Sequence, residues 1–426
     1  MKKIIFTLFI IHCTLLIVRC QWVKQYSLNP NNYGIFYRIQ FLNSNTGYVV
    51  GSEPQMTHGI ILKTTNGGVN WLYLTIIDSI YEAPAYYNLF FLNPNTGFVC
   101  GYWYKIFKTT NGGISWNGII TPSYGNLTYW AIKFFDEMTG FIAGRYGIMY
   151  KTTTGGANWL SYDTAHSYIN DMYFFNVNTG FKCDGYCGIY KTTNSGLNWT
   201  YKFVLDSLGI GGGNMESIDF IDENTGYVTG HGALFKTTNG GNDWKSVFII
   251  HNNQLWSVKA INNNVYVGCD SNYIMYSSNF GINWCKQILN TNYGFVHSIY
   301  FTDSNTGYLC TQNDIFKTTN GGVSVNNLST EIPKELMLFQ NYPNPFNATT
   351  KIRFAIKEEG KGKREKTKLV IYDILGKEVQ TLVNEELSPG TYEVTFDGAG
   401  LSSGIYFYQL SIDNVQFATK KMVILK

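Results

Sequence analysis

The 426-residue chain holds 14% charged residues, 16% aromatic residues and 43 glycines. This balance excludes a disordered chain and suits a β-rich, turn-rich fold. Its length exceeds one ordinary core, so repeats or several domains are expected, and a net charge of +3 with no concentrated basic face excludes nucleic acid as a partner.

The chain opens with Met1-Lys2-Lys3, an apolar run over residues 4–18, and then Val18-Arg19-Cys20. That order reads as a secretory signal peptide over residues 1–20, with maturation before Gln21. A bilayer span needs about 20 apolar residues, and a lipoprotein site wants a small residue where Arg19 stands, so neither anchor is expected. No transmembrane segment is expected after signal removal. Without Lys2, Lys3 and Arg19, basic and acidic residues are equal in number.

From Lys63 a nine-residue turn returns along the chain. KTTNGGVNW ends at Trp71, KTTNGGISW at Trp116, KTTTGGANW at Trp159, KTTNSGLNW at Trp199 and KTTNGGNDW at Trp244. A worn copy, YSSNFGINW, ends at Trp284, and KTTNGGVSV ends at Val325 without its tryptophan. Asn-Thr-Gly before Tyr or Phe recurs at Gly47, Gly97, Gly180, Gly226 and Gly307, with Met-Thr-Gly-Phe at Gly140. Seven copies, with successive tryptophans 45, 43, 40, 45 and 40 residues apart, mark four-stranded β-propeller blades. In each blade an alternating inner strand such as Ile39-Gln40-Phe41 meets the Asn-Thr-Gly turn, whose glycine is expected at positive φ. An aromatic-led second strand follows (Tyr48-Val49-Val50), then a third (Ile60-Ile61-Leu62-Lys63), and a fourth begins at the tryptophan.

Residues 64–71 resemble the Asp-box, or BNR repeat, S/T-x-D-x-G-x-x-W, with Asn66 in place of the aspartate. A short side chain with an acceptor oxygen caps backbone amides of such a turn, and the tryptophan staples the hairpin onto its blade. The resemblance implies that the boxes are structural and lie away from the working face; no metal site is expected. The propeller is similar to those of photosystem II assembly factors and sortilin-type receptors, a likeness of fold. Gln21-Trp22-Val23-Lys24 is expected to complete the seventh blade beside residues 299–320, supplying the tryptophan absent at Val325 and covering free sheet edges.

Function is expected where the copies disagree. The Asn-Thr-Gly turns and the boxes share one face, so the other carries the variable loops: residues 51–59, Tyr102-Trp103-Tyr104 and residues 211–213. Seven of the ten tryptophans are staples; Trp103, Trp130 and Trp256 fall on the variable face. Trp130 and Trp256 share one repeat position at the start of the inner strand, with Tyr37, Tyr87, Asn170, Glu216 and His297. These seven residues and Trp103 are the candidate ligand-binding set, suited to stacking on sugars or gripping a peptide. The bland alternative is that they only cap the inner strands.

No catalytic residue and no cofactor is expected. Sialidases share the Asp-box but need an arginine cluster, and the propeller has only Arg38 and Arg145. Glycoside hydrolysis needs two carboxylates, for which Asp171 and Glu216 are the best pair; no H-E-x-x-H, G-x-S-x-G or phosphate loop occurs. Cys100, Cys183 and Cys310 share a slot that elsewhere holds Val50, Ala143 or Thr229, which reads as buried free thiols. Cys183 and Cys187 could bridge locally or bind metal.

After Asn327 the repeats stop. Residues 329–340 read as a linker, and residues 329–426 carry 13 of the 32 basic residues. Strand-like runs at 368–372, 391–396 and 405–412 suggest a small Ig-like β-sandwich with KEEGKGKREKTK as a charged loop. NYPNPFNATTKIRF from Asn341, LVIYDILGKEV from Leu369, SPGTYEVTFDG from Ser388, SSGIYFYQL from Ser402 and the terminal KKMVILK resemble the C-terminal sorting domain of type IX secretion substrates. Ala348 stands where many members carry proline. The resemblance implies export by outer-membrane type IX machinery and a secreted or cell-surface location. The sequence thus predicts an all-β chain: a seven-bladed propeller over 21–328, closed by the N-terminal strand, then a sorting domain over 341–426. The expected role is non-catalytic binding of an extracellular glycan or protein, with a carbohydrate-active enzyme as the alternative.

Overall fold

The phenylalanine that ends six of the seven inner strands, and the glycine that follows it, explain how those blades are built. In the computed structural model the Asn-Thr-Gly glycines are not among the residues at positive φ. A Cβ at Gly47 would instead lie 2.6 Å from the Phe41 ring, and Gly97, Gly140, Gly180, Gly226 and Gly307 meet Phe91, Phe134, Phe174, Phe220 and Phe301 in the same way. The expectation of a left-handed glycine is therefore corrected: glycine is required because an aromatic ring lies across it. The turn itself is made by the asparagine side chain, Asn43 Oδ1 accepting from the Asn45 and Thr46 amides at 2.9 Å.

The structure describes residues 17–19, 22–28, 34–53, 58–74, 76, 85–122, 127–163, 167–203, 213–250, 253–291, 294–323, 325–329, 333–358, 365–398 and 400–426. Among them, strands make up the regular structure apart from one 3-10 turn at Arg145–Gly147. The first sheet runs Ile35–Phe41, Gly47–Ser52, Gly59–Thr64 and Leu72–Tyr73, and the pattern repeats down to Val296–Phe301, Gly307–Thr311 and Asp314–Thr318. Seven such sheets stand side by side, and the inner strand Val296–Phe301 returns to pack on Ile35–Phe41. That closed ring is a β-propeller. The expected signal peptide lies mostly outside the described residues; its Ile17–Arg19 runs parallel to Cys285–Ile288 on the sixth sheet.

The seventh sheet takes its outer strand from the N-terminus, Val23–Ser27 pairing antiparallel with Asp314–Thr318. Register shows how closely the borrowed strand imitates the others. Leu72 faces Lys63, Asn117 faces Lys108 and Lys245 faces Lys236, each just after its tryptophan, and Val23 faces Lys317 just after Trp22. Trp22 is 4% exposed and packs edge-on against Phe301 at 5.8 Å, as Trp71 does on Phe41 and Trp116 on Phe91. Its indole Nε1 donates to Gln287 Oε1. Burying such a side chain is worth about 2–3 kcal/mol, so closure by this strand is a substantial stabilising term.

The repeated box is a folded unit of its own. Thr64 Oγ1 accepts from the Gly68 amide and Asn66 Oδ1 from the Asn70 amide, both at 2.9 Å. Gly67 and Gly68 turn the chain at φ of 68° and 89°. The preceding lysine reaches sideways: Lys63 Nζ donates to Gly112 O of the next box at 2.8 Å, Lys191 to Gly240 O at 2.7 Å, and Lys317 closes the ring on Gly67 O at 2.9 Å. An aromatic two residues after the Asn-Thr-Gly threonine stacks on the next blade's phenylalanine, Tyr48 on Phe91 at 3.8 Å and Tyr308 on Phe41 at 3.5 Å. The turn therefore joins blades as well as closing hairpins.

Beyond the propeller the chain forms two four-stranded sheets. One contains Val325–Ser329, Gly390–Asp397, Thr349–Ile356 and Met337–Leu338, and the other Glu378–Leu387, Glu365–Tyr372, Gly404–Ile412 and Val415–Ile424. Ile352, Phe354, Leu369, Ile371, Leu410 and Met422 are buried in their shared core.

Candidate functional site

Each inner strand carries a β-bulge near its start, where the register with the second strand skips one residue. The skipped residues are Tyr37, Tyr87, Trp130, Asn170, Glu216, Trp256 and His297. A bulge leaves one residue outside the ladder and re-aims its side chain, so all seven stand at equivalent positions around the mouth of the central channel. All seven are half-buried. The eighth candidate, Trp103, lies in the loop after Gly97–Gly101, at φ 56° and 36% exposed.

The residues fall into distinct groups. Trp256 and His297 are 5.3 Å apart, His297 and Tyr37 5.6 Å, and Tyr37 and Tyr87 4.6 Å. Tyr102 continues the row at 6.4 Å from Tyr87, and Trp103 follows at 6.0 Å. An unbroken aromatic arc thus covers one side of the mouth. Trp130 belongs to a second cluster with Tyr168, at 5.6 Å; Tyr146 packs on Tyr168 and carries the Arg145 guanidinium over its ring at 4.9 Å. Asn170 is committed to structure, its Nδ2 donating to Met215 O at 2.7 Å.

Phe295 and Tyr168 join the mouth although sequence reasoning missed them. Each lies two residues before a ring position, in the segment just ahead of the inner strand, where no repeat signature marks it.

The polar side of the mouth is also specific. Gln254 Nε2 donates to Glu216 Oε1 at 2.8 Å, and burial raises the Glu216 carboxyl above its ordinary range. Trp256 Nε1 donates to Asp270 Oδ1. The His297 Nε2 atom is out of contact with solvent and has no hydrogen-bond partner among the described residues, and burial lowers the imidazole to about 4.

One step inside the mouth, Asp171 holds the channel together. Its oxygens accept from Met172 N at 3.0 Å, Ser217 Oγ at 3.1 Å, Ile218 N at 3.2 Å and Arg38 across the channel at 3.4 Å. Deeper, Lys259 pairs with Asp219 at 2.9 Å, and Lys133 Nζ lies over the Phe90 ring at 4.7 Å. The space among these groups is about 210 Å³, and Arg38, Lys133, Asp171, Asp219 and Lys259 stand in its wall. Cys100, Cys183 and Cys310 are buried free thiols, and the Cys187 thiol donates to the Gly213 carbonyl. No metal-binding cluster of His, Cys, Asp or Glu occurs among the described residues.

Fold and repeat together define a class: an Asp-box β-propeller carrying a separate C-terminal sandwich. Residues 340–425 match the secretion system C-terminal sorting domain, and residues 77–210 match the photosynthesis system II assembly factor YCF48 family. The chain is thus a BNR-type propeller joined to a type IX secretion sorting domain, and such a protein is exported to the cell surface. The structure of YCF48 bound to a D1 peptide is 14% identical, with a TM-score of 0.58 over 71% of this chain and 99% of that one. The extracellular domain of the putative one component system BT4673 from B. thetaiotaomicron is 13% identical, at 0.56 over 95% and 59%. PorZ, a surface component of the type IX secretion system of Porphyromonas gingivalis, is 11% identical, at 0.55 over 92% and 59%. These likenesses are of fold. No protein of curated function matches the sequence.

Proposed function

We propose that the propeller is a non-catalytic binding module, carried to the cell surface by its sorting domain, which grips a glycan or a protein segment at the mouth of its channel. The observation that carries this reading is the set of seven bulges, which turn one residue per blade out of the ladder and bring Trp256, His297, Tyr37 and Tyr87 into one row. Half-buried aromatic surface of this kind offers stacking area at little conformational cost. YCF48, a propeller of similar fold, has been solved with a bound peptide, which supports a protein segment as one kind of occupant.

Catalysis by the best carboxylate pair is poorly supported. Asp171 is buried and its oxygens are taken by four donors, whereas a glycosidase nucleophile or base must reach the sugar. Glycan and peptide arrays run beside a hydrolase screen on the mature chain separate the readings. Binding without turnover is expected; turnover abolished by Glu216→Gln would establish the enzyme instead.

A further inference from the structure

The two repeats that depart most from the pattern are the sixth and the seventh. The sixth replaces KTTNGG by Tyr276-Ser277-Ser278-Asn279-Phe280-Gly281 and shortens its first turn to Asn262-Asn263-Asn264; the seventh ends its box in Val325. The binding reading above does not use these departures. In the structure all of them meet the C-terminal sandwich.

Thr319 Oγ1 donates to Asn384 O at 3.0 Å, and Asn320 Nδ2 donates to Leu382 O at 3.3 Å, both on the strand Glu378–Leu387. The seventh Asn-Thr-Gly turn adds a two-way contact: Asn305 Oδ1 accepts from Thr381 N and Asn305 Nδ2 donates to Glu378 Oε1, each at 3.3 Å. From the sixth box, Ser278 Oγ donates to Asp397 Oδ2 at 3.0 Å. Asn279 and Asn320 are both 2% exposed, whereas the equivalent Asn66 and Asn111 are open to solvent. Phe280 stands where five other boxes carry glycine and the fourth carries Ser195, and it holds φ 56°, a conformation unfavourable for a bulky residue. Its ring lines a cavity of about 430 Å³ shared with Phe396 and Leu401 of the sandwich. The seventh box's own continuation, Val325–Ser329, leaves the propeller and pairs with Gly390–Asp397, while the N-terminal strand fills the place it vacates.

We infer that the worn sixth and seventh repeats are a docking surface for the sorting domain of the same chain. The domain sits on the Asn-Thr-Gly and box face, and the aromatic mouth on the opposite face stays uncovered while the address is attached. The surface combines Phe280 with polar side chains of a kind that elsewhere in the ring face water, and it commits blade residues to carbonyls of one particular strand.

Oxidative trapping in the full chain tests this. A Cβ at Gly400 would lie 3.3 Å from Asn263 Cβ, near the spacing a disulfide needs, so Asn263→Cys with Gly400→Cys is expected to cross-link. A docked pair reacts far faster than one at the effective concentration of a loose tether. Adding Ser278→Ala, Asn305→Ala and Asp397→Ala, none of which touches the box cap, is expected to slow trapping by about tenfold or more, as the loss of several net hydrogen bonds implies. Asn111→Ala, in a box away from the sandwich, is expected to leave the rate unchanged. Trapping that ignores the docking substitutions, or that falls equally with Asn111→Ala, overturns the inference. Hydrogen exchange on the Glu378–Leu387 strand gives a readout free of cysteines: protection there must fall in the docking variants while core protection at Ile352 and Leu369 persists.

Discussion

At the scale of single residues, the repeat writes two tryptophan environments into one unit. Trp116 is 8% exposed and edge-on to Phe91, so Trp116→Ala is expected to lower stability by about 3–5 kcal/mol, measurable by chemical denaturation. His297 offers a pH test. Burial lowers its imidazole from 6.5 to about 4, so the unfolded chain takes up a proton that the folded chain refuses. Stability from this group is fully present above about pH 6.5 and is lost as pH falls towards about 4. Denaturation midpoints measured across that window should fall with acid, and His297→Phe should flatten the fall. An unchanged acid limb in the variant would remove His297 from the account. The Asn-Thr-Gly glycine shows where residue-level reading misled: the sequence suggested backbone freedom, and the structure places a phenylalanine ring against it. No local pattern reveals a ring arriving from the neighbouring strand.

At the scale of elements, the borrowed strand matters most. Trp22 replaces the missing seventh staple in the same register and against the same class of partner. Trp22→Ala should therefore cost about as much as Trp116→Ala, roughly 3–5 kcal/mol, although it lies before the first repeat. A loss below 1 kcal/mol in thermal or chemical unfolding would mean that the N-terminal strand is not part of the blade. This element was legible because the count of tryptophans and the vacancy at Val325 matched. The lysine clamp was not legible. The sequence shows Lys63, Lys191 and Lys317 only as part of the repeated turn, and the sideways approach of the next blade is what gives their ammonium groups a carbonyl to hold. The bulges were similarly hidden, since alternation predicts a regular strand and the skipped residue appears only once two strands are paired.

At the scale of the whole molecule, the chain combines a ring, with the proposed binding mouth on one face, and a sandwich that directs export. A chain ending before Val325 should keep its propeller folded, because the N-terminal strand closes the ring without the tail, and should fail to reach the cell surface, which surface labelling would detect. Display of that truncated chain would contradict the sorting role. The cut belongs before Val325, since Val325–Ser329 pairs within the tail, a point that composition placed a few residues later. The binding mouth is the central claim, and one comparison tests it most directly. Glycan and peptide arrays would be run on the mature chain and on Trp130→Ala with Trp256→Ala, with unfolding measured in parallel. The account predicts that the double variant loses most of its affinity, about 2 kcal/mol for each stacking residue, while its stability stays close to that of the parent. Full retention of binding, or a stability loss matching that of Trp116→Ala with affinity untouched in the folded fraction, would show that these aromatics only cap the inner strands.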